Sequence, residues 1–222
     1  MSDAVVFDAL GTLFQLRPLE ERLEELGAPE GALDAWFERL LHSAAAVTLT
    51  GDFVPFAELA RTALATTAAR FGLELDPGDV LPLLQRLPPY PDARPAVELL
   101  EEAGVAWAVL TNGGAKQTHA LLDAAGLAEQ VWHVVSVEEV RAYKPHPAPY
   151  RRVVELLELP PERVTLVAAH GWDVLGARAA GMQAVWVDRV EHAWPFPSEE
   201  PPRAPDLERA VELALAEAEV EG

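Results

Sequence analysis

The amino-acid sequence predicts an α/β fold, a doubly wound parallel sheet with an all-helical cap inserted after the first strand. Three observations carry that expectation. Five short runs, at 4–7, 105–110, 131–136, 164–168 and 184–187, are apolar along nearly their whole length rather than alternating, as strands are when both sheet faces are covered. Helical patterns separate the later runs, and three of these patterns stop at Gly104, Gly126 and Gly181. Glycine is the residue that most easily takes the left-handed conformation just past a helix end. Finally, residues 16–89 carry helical periodicity and no convincing strand.

Taken in order, the first strand ends at Asp8, and helices are predicted near 19–26, 31–47 and 54–71, with a further one around 79–86. This divides the chain into a core of residues 1–15 and 90–222 and a cap of residues 16–89. An insertion after the first strand stands over that strand's carboxyl end, where open α/β sheets hold their chemistry. The alternative is an accessory bundle that touches no ligand. Beyond residue 90, predicted helices at 93–103, 116–125 and 173–180 alternate with the remaining strands and give right-handed crossovers. Residues 194–205 are rich in proline and read as an extended surface loop. Residues 207–220 read as a docked amphipathic helix with an acidic, solvated face.

Composition narrows the function classes. With 222 residues, half of them apolar, the chain can bury a sizeable core. The formal charge is −19, and the one adjacent basic pair is Arg151-Arg152, which argues against a nucleic-acid or anionic-membrane partner. A small anionic substrate stays compatible, because one buried cation dominates its own pocket. There is no cysteine, hence no disulfide, thiolate zinc site or cysteine nucleophile. No apolar run approaches the roughly 18 residues of a membrane span, and the opening MSDAVVFDAL lacks a secretory pattern. A cytoplasmic protein acting on a small molecule is expected.

The chemistry-bearing residues sit at strand ends. Asp8 closes a buried strand and is followed by Ala9-Leu10-Gly11-Thr12. A carboxylate there is expensive, and it either caps a turn or acts as a nucleophile. Later strand ends supply Thr111-Asn112-Gly113, Lys144-Pro145 and Ala169-His170-Gly171-Trp172-Asp173. If the strands are neighbours, these groups meet in one crevice.

These four segments, in this order, resemble the haloacid dehalogenase superfamily and, within it, the 2-haloacid dehalogenase branch. The likeness spans about residues 3–15 and 90–190. It implies a Rossmann-like core, Asp8 as nucleophile, Lys144 as the catalytic lysine with Tyr150 six positions on, and Trp172-Asp173 as the last motif. Only two lysines occur in the chain, so Lys144 at the motif position is not the product of a lysine-rich surface. Thr12 then hydrogen-bonds the nucleophile or caps its loop. Thr111 and Asn112 offer donors to a substrate carboxylate or form a simple turn. Asp173 holds Lys144, orients water or caps its helix, and Tyr150, on the helix after Lys144-Pro145, reaches back or only packs. His170 hydrogen-bonds the halide, assists ester hydrolysis or merely ties its loop.

Two absences choose the branch. The superfamily's Mg-dependent phosphatases carry a general acid two residues after the nucleophile, and here that place is Leu10. Their metal-binding Gly-Asp pair corresponds to Ala168-Ala169. An alkoxide leaving group needs an acid and a halide does not, so the expected reaction is metal-independent and cofactor-free dehalogenation of a short 2-haloalkanoic acid, haloacetate or fluoroacetate included. A phosphatase or phosphonatase-like hydrolase and a catalytically silent binding member are the alternatives.

The sequence also departs from the dehalogenases it resembles. Leu10 replaces a tyrosine, and Phe37 falls where the first cap helix supplies a halide-binding arginine. Arg39 lies two residues further, about 200° around a helix, and cannot simply replace it. Trp36, Phe37, Phe53 and Phe56 either wall a small dry pocket or form cap core. The same resemblance suggests a homodimer.

Overall fold

The computed structural model describes residues 2–216. Its centre is a six-stranded sheet of β1 (Ala4–Phe7), β2 (Ala106–Thr111), β3 (His133–Ser136), β4 (Val164–Ala168), β5 (Gln183–Val187) and β6 (Arg203–Ala204). The spatial order is β3-β2-β1-β4-β5-β6, with every pair parallel. Succession along the chain reverses between β1 and β4, which opens a crevice outside their carboxyl ends. Phe7 is level with Val109 on one side and Val167 on the other, so the residues that follow β1, β2 and β4 emerge together.

The strands are apolar on both faces because both are covered. Val5 and Phe7 pack into a core shared with α4 (Ala93–Glu102) and α8 (Leu207–Ala216). Ala4 and Val6 point the other way, toward α6 (Pro147–Leu157) and α7 (Gly171–Ala179). Beside β3 runs α5 (Ala115–Ala125).

Between β1 and α4 lie α1 (Arg17–Glu25), α2 (Ala32–Leu49) and α3 (Phe56–Arg70). Their apolar faces meet: Trp36, Leu40 and Ala44 of α2 pack in one cluster with Ala60, Ala63 and Leu64 of α3, and the Trp36 indole N–H donates to the Ala60 carbonyl at 3.0 Å. Trp36 is therefore cap core. The chain enters and leaves the cap side by side. Gln15 N–H donates to Pro88 O at 2.9 Å and Tyr90 N–H to Leu13 O at 2.8 Å.

Two elements differ from the sequence expectation. The pattern at 79–86 forms two short 3₁₀ turns, Pro77–Asp79 and Leu81–Gln85, because prolines at 77, 82, 88 and 89 remove the donors a longer helix needs. Within the proline-rich 194–205 segment, Arg203–Ala204 pairs with Trp186–Val187 as an edge strand. Of the helix predicted at 207–220, residues 207–216 are helical, and 217–220 lie outside the described residues. No helix among the described residues is long and apolar enough to cross a membrane.

Candidate active site

At the centre of the crevice three buried charges meet. Lys144 Nζ lies 2.8 Å from Asp8 Oδ1 and 2.6 Å from Asp173 Oδ2, and it donates a third bond to the Leu110 carbonyl at 2.8 Å. All three ammonium protons are thus used. The second oxygen of each carboxylate is also taken. Thr12 Oγ1 donates to Asp8 Oδ2 at 2.8 Å and accepts from Ala169 N–H at 3.0 Å. Tyr150 OH donates to Asp173 Oδ1 at 2.5 Å.

Local folding explains each placement. Asp8 continues β1, held by its N–H on the Val167 carbonyl at 3.1 Å. Lys144 arrives from the loop before α6, anchored by its N–H on Asn112 Oδ1 at 3.0 Å. Just upstream, Tyr143 ties that loop to the cap: its N–H meets Thr48 Oγ1 at 3.0 Å and its hydroxyl meets the Val54 carbonyl at 2.7 Å. Tyr150 closes on Asp173 because Gly176 leaves room, and a Cβ there would sit 2.7 Å from Pro145 Cβ and against the Tyr150 hydroxyl.

Two carboxylates against one ammonium leave a net negative cluster. Burial opposes the Lys144 charge, but Asp173 and Asp8 together overcome it and hold its pKa above the ordinary lysine value. Burial pushes Asp173 above the usual carboxylate range; the Lys144 charge works the other way, and Asp8 adds to the rise. Burial and then the Asp173 charge drive the Tyr150 hydroxyl well above 10, so it stays a donor.

A small cavity opens onto Asp8. Leu10, Phe37, Leu41, Phe56 and Trp172 form its apolar wall, and Thr111, Asn112 and His170 its polar part. Its free volume of about 10 Å³ suits roughly one water. The Oδ1 of Asn112 is occupied by Lys144 N–H, which leaves its amide N–H groups for an occupant, whereas Thr111 Oγ1 accepts from Gly113 N–H at 2.9 Å. A second chamber of about 290 Å³ lies outside, and Phe37 and His170 line both spaces.

The residues singled out in sequence therefore divide into three groups. Asp8, Leu10, Phe37, Thr111, Asn112 and His170 face the cavity. Thr12, Lys144, Asp173 and Tyr150 stand behind it as the hydrogen-bonded support of Asp8. Of the two readings offered for Tyr150, the structure shows it reaching back, with its hydroxyl committed to Asp173. Arg39 belongs to neither group and lines neither space, because two residues of helix carry it away from Phe37. The wall position one turn beyond Phe37 is Leu41, which sequence reading missed although the i+4 spacing marks it. Phe53 stacks on Tyr143, with ring centroids 5.3 Å apart, and does not reach the wall. The Leu110 carbonyl was also missed, since a backbone acceptor leaves no trace in side-chain identity.

A divalent cation finds no ready ligand set here. Both oxygens of Asp8 and of Asp173 are engaged, position 168–169 offers only alanine side chains, and no three His, Asp or Glu converge among the described residues.

A family model of haloacid dehalogenase-like hydrolases matches residues 2–181. The chain belongs to that family. Among these hydrolases it is 37% identical over 195 residues to an (S)-2-haloacid dehalogenase of Xanthobacter autotrophicus, covering 86% of this chain and 76% of that one. It is 31% identical over 197 residues to haloacetate dehalogenase H-2 of Moraxella sp. strain B, covering 86% and 88%. The fold superposes with a TM-score of 0.88 on a solved Xanthobacter autotrophicus L-2-haloacid dehalogenase carrying covalently bound chloropropionic acid. That match is at 30% identity and covers 98% of this chain and all of that one.

Proposed function

We propose that this hydrolase releases halide from a short 2-haloalkanoic acid through an ester on Asp8, without a metal ion. The observation that carries the reading is the Asp8 carboxylate, 4% exposed, paired with the Lys144 ammonium at 2.8 Å and turned into a mostly apolar cavity with no acid at position 10. A desolvated carboxylate is a stronger nucleophile than a hydrated one. Asp8 attacks C2 opposite the halogen; a carbon–oxygen bond forms as the carbon–halogen bond breaks, and the halide departs with its electron pair. The apolar wall and the free N–H groups of Asn112 suit a weakly hydrated halide or the substrate carboxylate. Water then opens the ester, and a 2-hydroxy acid leaves.

The free volume admits one water and not a haloacid, so loading requires the cap to shift or Phe37 to swing. The substrate is short because Leu41, Phe56 and Trp172 crowd the nucleophile. The test is halide release from chloro-, bromo- and fluoroacetate and 2-chloropropionate, with and without Mg²⁺ or chelator. Wild type is expected to release halide regardless of metal, and Asp8→Asn to release none. Equal release by wild type and Asp8→Asn, or strict dependence on added Mg²⁺, would overturn the reading.

A further inference from the structure

Lys144 is bonded to Asp8, and its ammonium is well placed only if the turn that carries it is. Asn112 Oδ1 takes the Lys144 N–H at 3.0 Å, residue 145 is a proline with no N–H to give, and the Tyr143 carbonyl accepts from His146 N–H at 3.0 Å. The other anchor of this turn lies in the cap. Tyr143 N–H donates to Thr48 Oγ1 at 3.0 Å, and the Tyr143 hydroxyl donates to the Val54 carbonyl at 2.7 Å. Phe53 stacks on the Tyr143 ring at a centroid distance of 5.3 Å, and the Arg141 guanidinium carbon lies 5.1 Å over Phe53. The loop joining α2 and α3 is thus gripped at positions 48, 53 and 54.

These contacts fall at two parts of the site. Tyr143 is the residue before Lys144, and the Val54 carbonyl it holds is two residues before Phe56, part of the cavity wall. Thr48 stands near the end of α2, the helix that supplies Phe37 and Leu41 to the same wall. Tyr143 itself is 1% exposed and lines neither the cavity nor the outer chamber, so its effect on the site passes through its neighbours. Packing alone asks for no hydroxyl, since a buried one is costly unless bonded. Burial, and then the Glu138 charge, push that hydroxyl above the usual tyrosine range, so it stays a donor to the cap. Toward the start of α2, Leu33, Asp34 and Phe37 border the outer chamber of about 290 Å³. The cap is therefore bonded to the Lys144 turn at one edge and parted from the core by open space at the other.

We infer that Tyr143 is a positioning residue that joins the seating of the cap to the placement of the Lys144 ammonium; its effect on turnover rests on the Asp8 ester proposed above. A cap seated on Tyr143 sets Phe56 against the cavity and Lys144 on Asp8 and Asp173 at once. Loading opens the cap at the Phe37 edge, with Tyr143 as the pivot. Lys144 Nζ is faced by Asp8 and Asp173 and lies 5.8 Å from the centre of the Trp172 ring. The two carboxylates hold its pKa up against burial, so slack in the turn that loosens those contacts registers as a fall in that pKa.

The experiment reads Lys144 directly. The chain has two lysines, the exposed Lys116 and the buried Lys144, so protein carrying a carbon-13 label at lysine Cε gives two signals, told apart with Lys116→Arg. Both are titrated from about pH 8 to 11.5 in wild type, Tyr143→Phe, Thr48→Val, Thr48→Ser and Leu64→Val, the last trimming the cap core beside Leu23 and Ala32. The Lys144 midpoint is expected to fall by about one pH unit in Tyr143→Phe and in Thr48→Val. It should stay at the wild-type value in Thr48→Ser, which keeps the hydroxyl, and in Leu64→Val. First-turnover halide release from chloroacetate should slow about 10- to 100-fold in the first two variants alone. An unmoved Lys144 midpoint in both of them, or an equal fall in Thr48→Ser or Leu64→Val, would overturn the inference. Absence of halide release by wild type would overturn the Asp8 ester alone, since the lysine signal decides the linkage without turnover.

Discussion

Replacing Lys144 by methionine tests the charge cluster most directly. Methionine fills most of the buried stem and deletes the ammonium, leaving Asp8 Oδ1 and Asp173 Oδ2 facing each other. They lie 2.8 and 2.6 Å from Nζ, hence no more than about 5.4 Å apart. At an effective dielectric near 20, two unit charges at that separation repel by roughly 3 kcal/mol. Removing one partner from a buried ion pair costs about 3–5 kcal/mol in other proteins, so the two routes to the magnitude agree. Urea unfolding of Lys144→Met at pH 7.5 is expected to show a loss in that range, together with loss of halide release. Adding Asp173→Asn removes one of the two facing charges and should return part of the stability without returning activity. A loss below about 1 kcal/mol, or a double variant less stable than the single one, would refute the picture of a buried ammonium between two anions.

Further expectations concern the same network. Lys144 has a folded-state pKa above its unfolded value of 10.5, so its contribution to stability is complete below that pH and is lost as pH rises through the higher folded value. The stability gap between wild type and Lys144→Met should therefore hold steady up to about pH 10 and narrow only in stronger alkali, which denaturant titrations across pH 8–11.5 will read. Tyr150→Phe strips the hydroxyl from a buried carboxylate and should cost about 1.5–3 kcal/mol, with a fall in kcat larger than any change in KM. Gly176→Ala drives a methyl into Pro145 and the Tyr150 hydroxyl; lower activity with the Asp8 ester still formed, followed by mass spectrometry, is the expected result. Phe37→Ala merges the inner cavity with the outer chamber and should raise kcat/KM for 2-bromohexanoate relative to chloroacetate by about tenfold.

Much of the scaffold was legible because buried strands and capped helices write themselves as patterns: the 164–168 run is β4 to the residue, and Gly126 closes α5 in the left-handed conformation. Asp8 could be named because a charge at the end of an apolar run is out of place, and Lys144 and Asp173 because their segments resemble the later motifs of the family. Relations across the chain were hidden. Nothing local says that Tyr150 answers to Asp173 rather than to a ligand, or that Arg39 turns away, since both depend on how α2, α6 and α7 are seated on the sheet. The edge strand at Arg203–Ala204 was unreadable because two residues have no period, and the Trp186 N–H to Pro202 O bond that helps fix it is set by β5.

The paired crossings at 13–15 and 88–90 bear on how such a molecule can vary. Because the two linkers are bonded to one another, everything between them is a closed excursion whose ends the sheet never has to move apart to accommodate. A helical ceiling of another size or lining can be exchanged there while the floor that carries Asp8 stays as it is. New substrate preferences are then reached by re-roofing one aspartate rather than by rebuilding it.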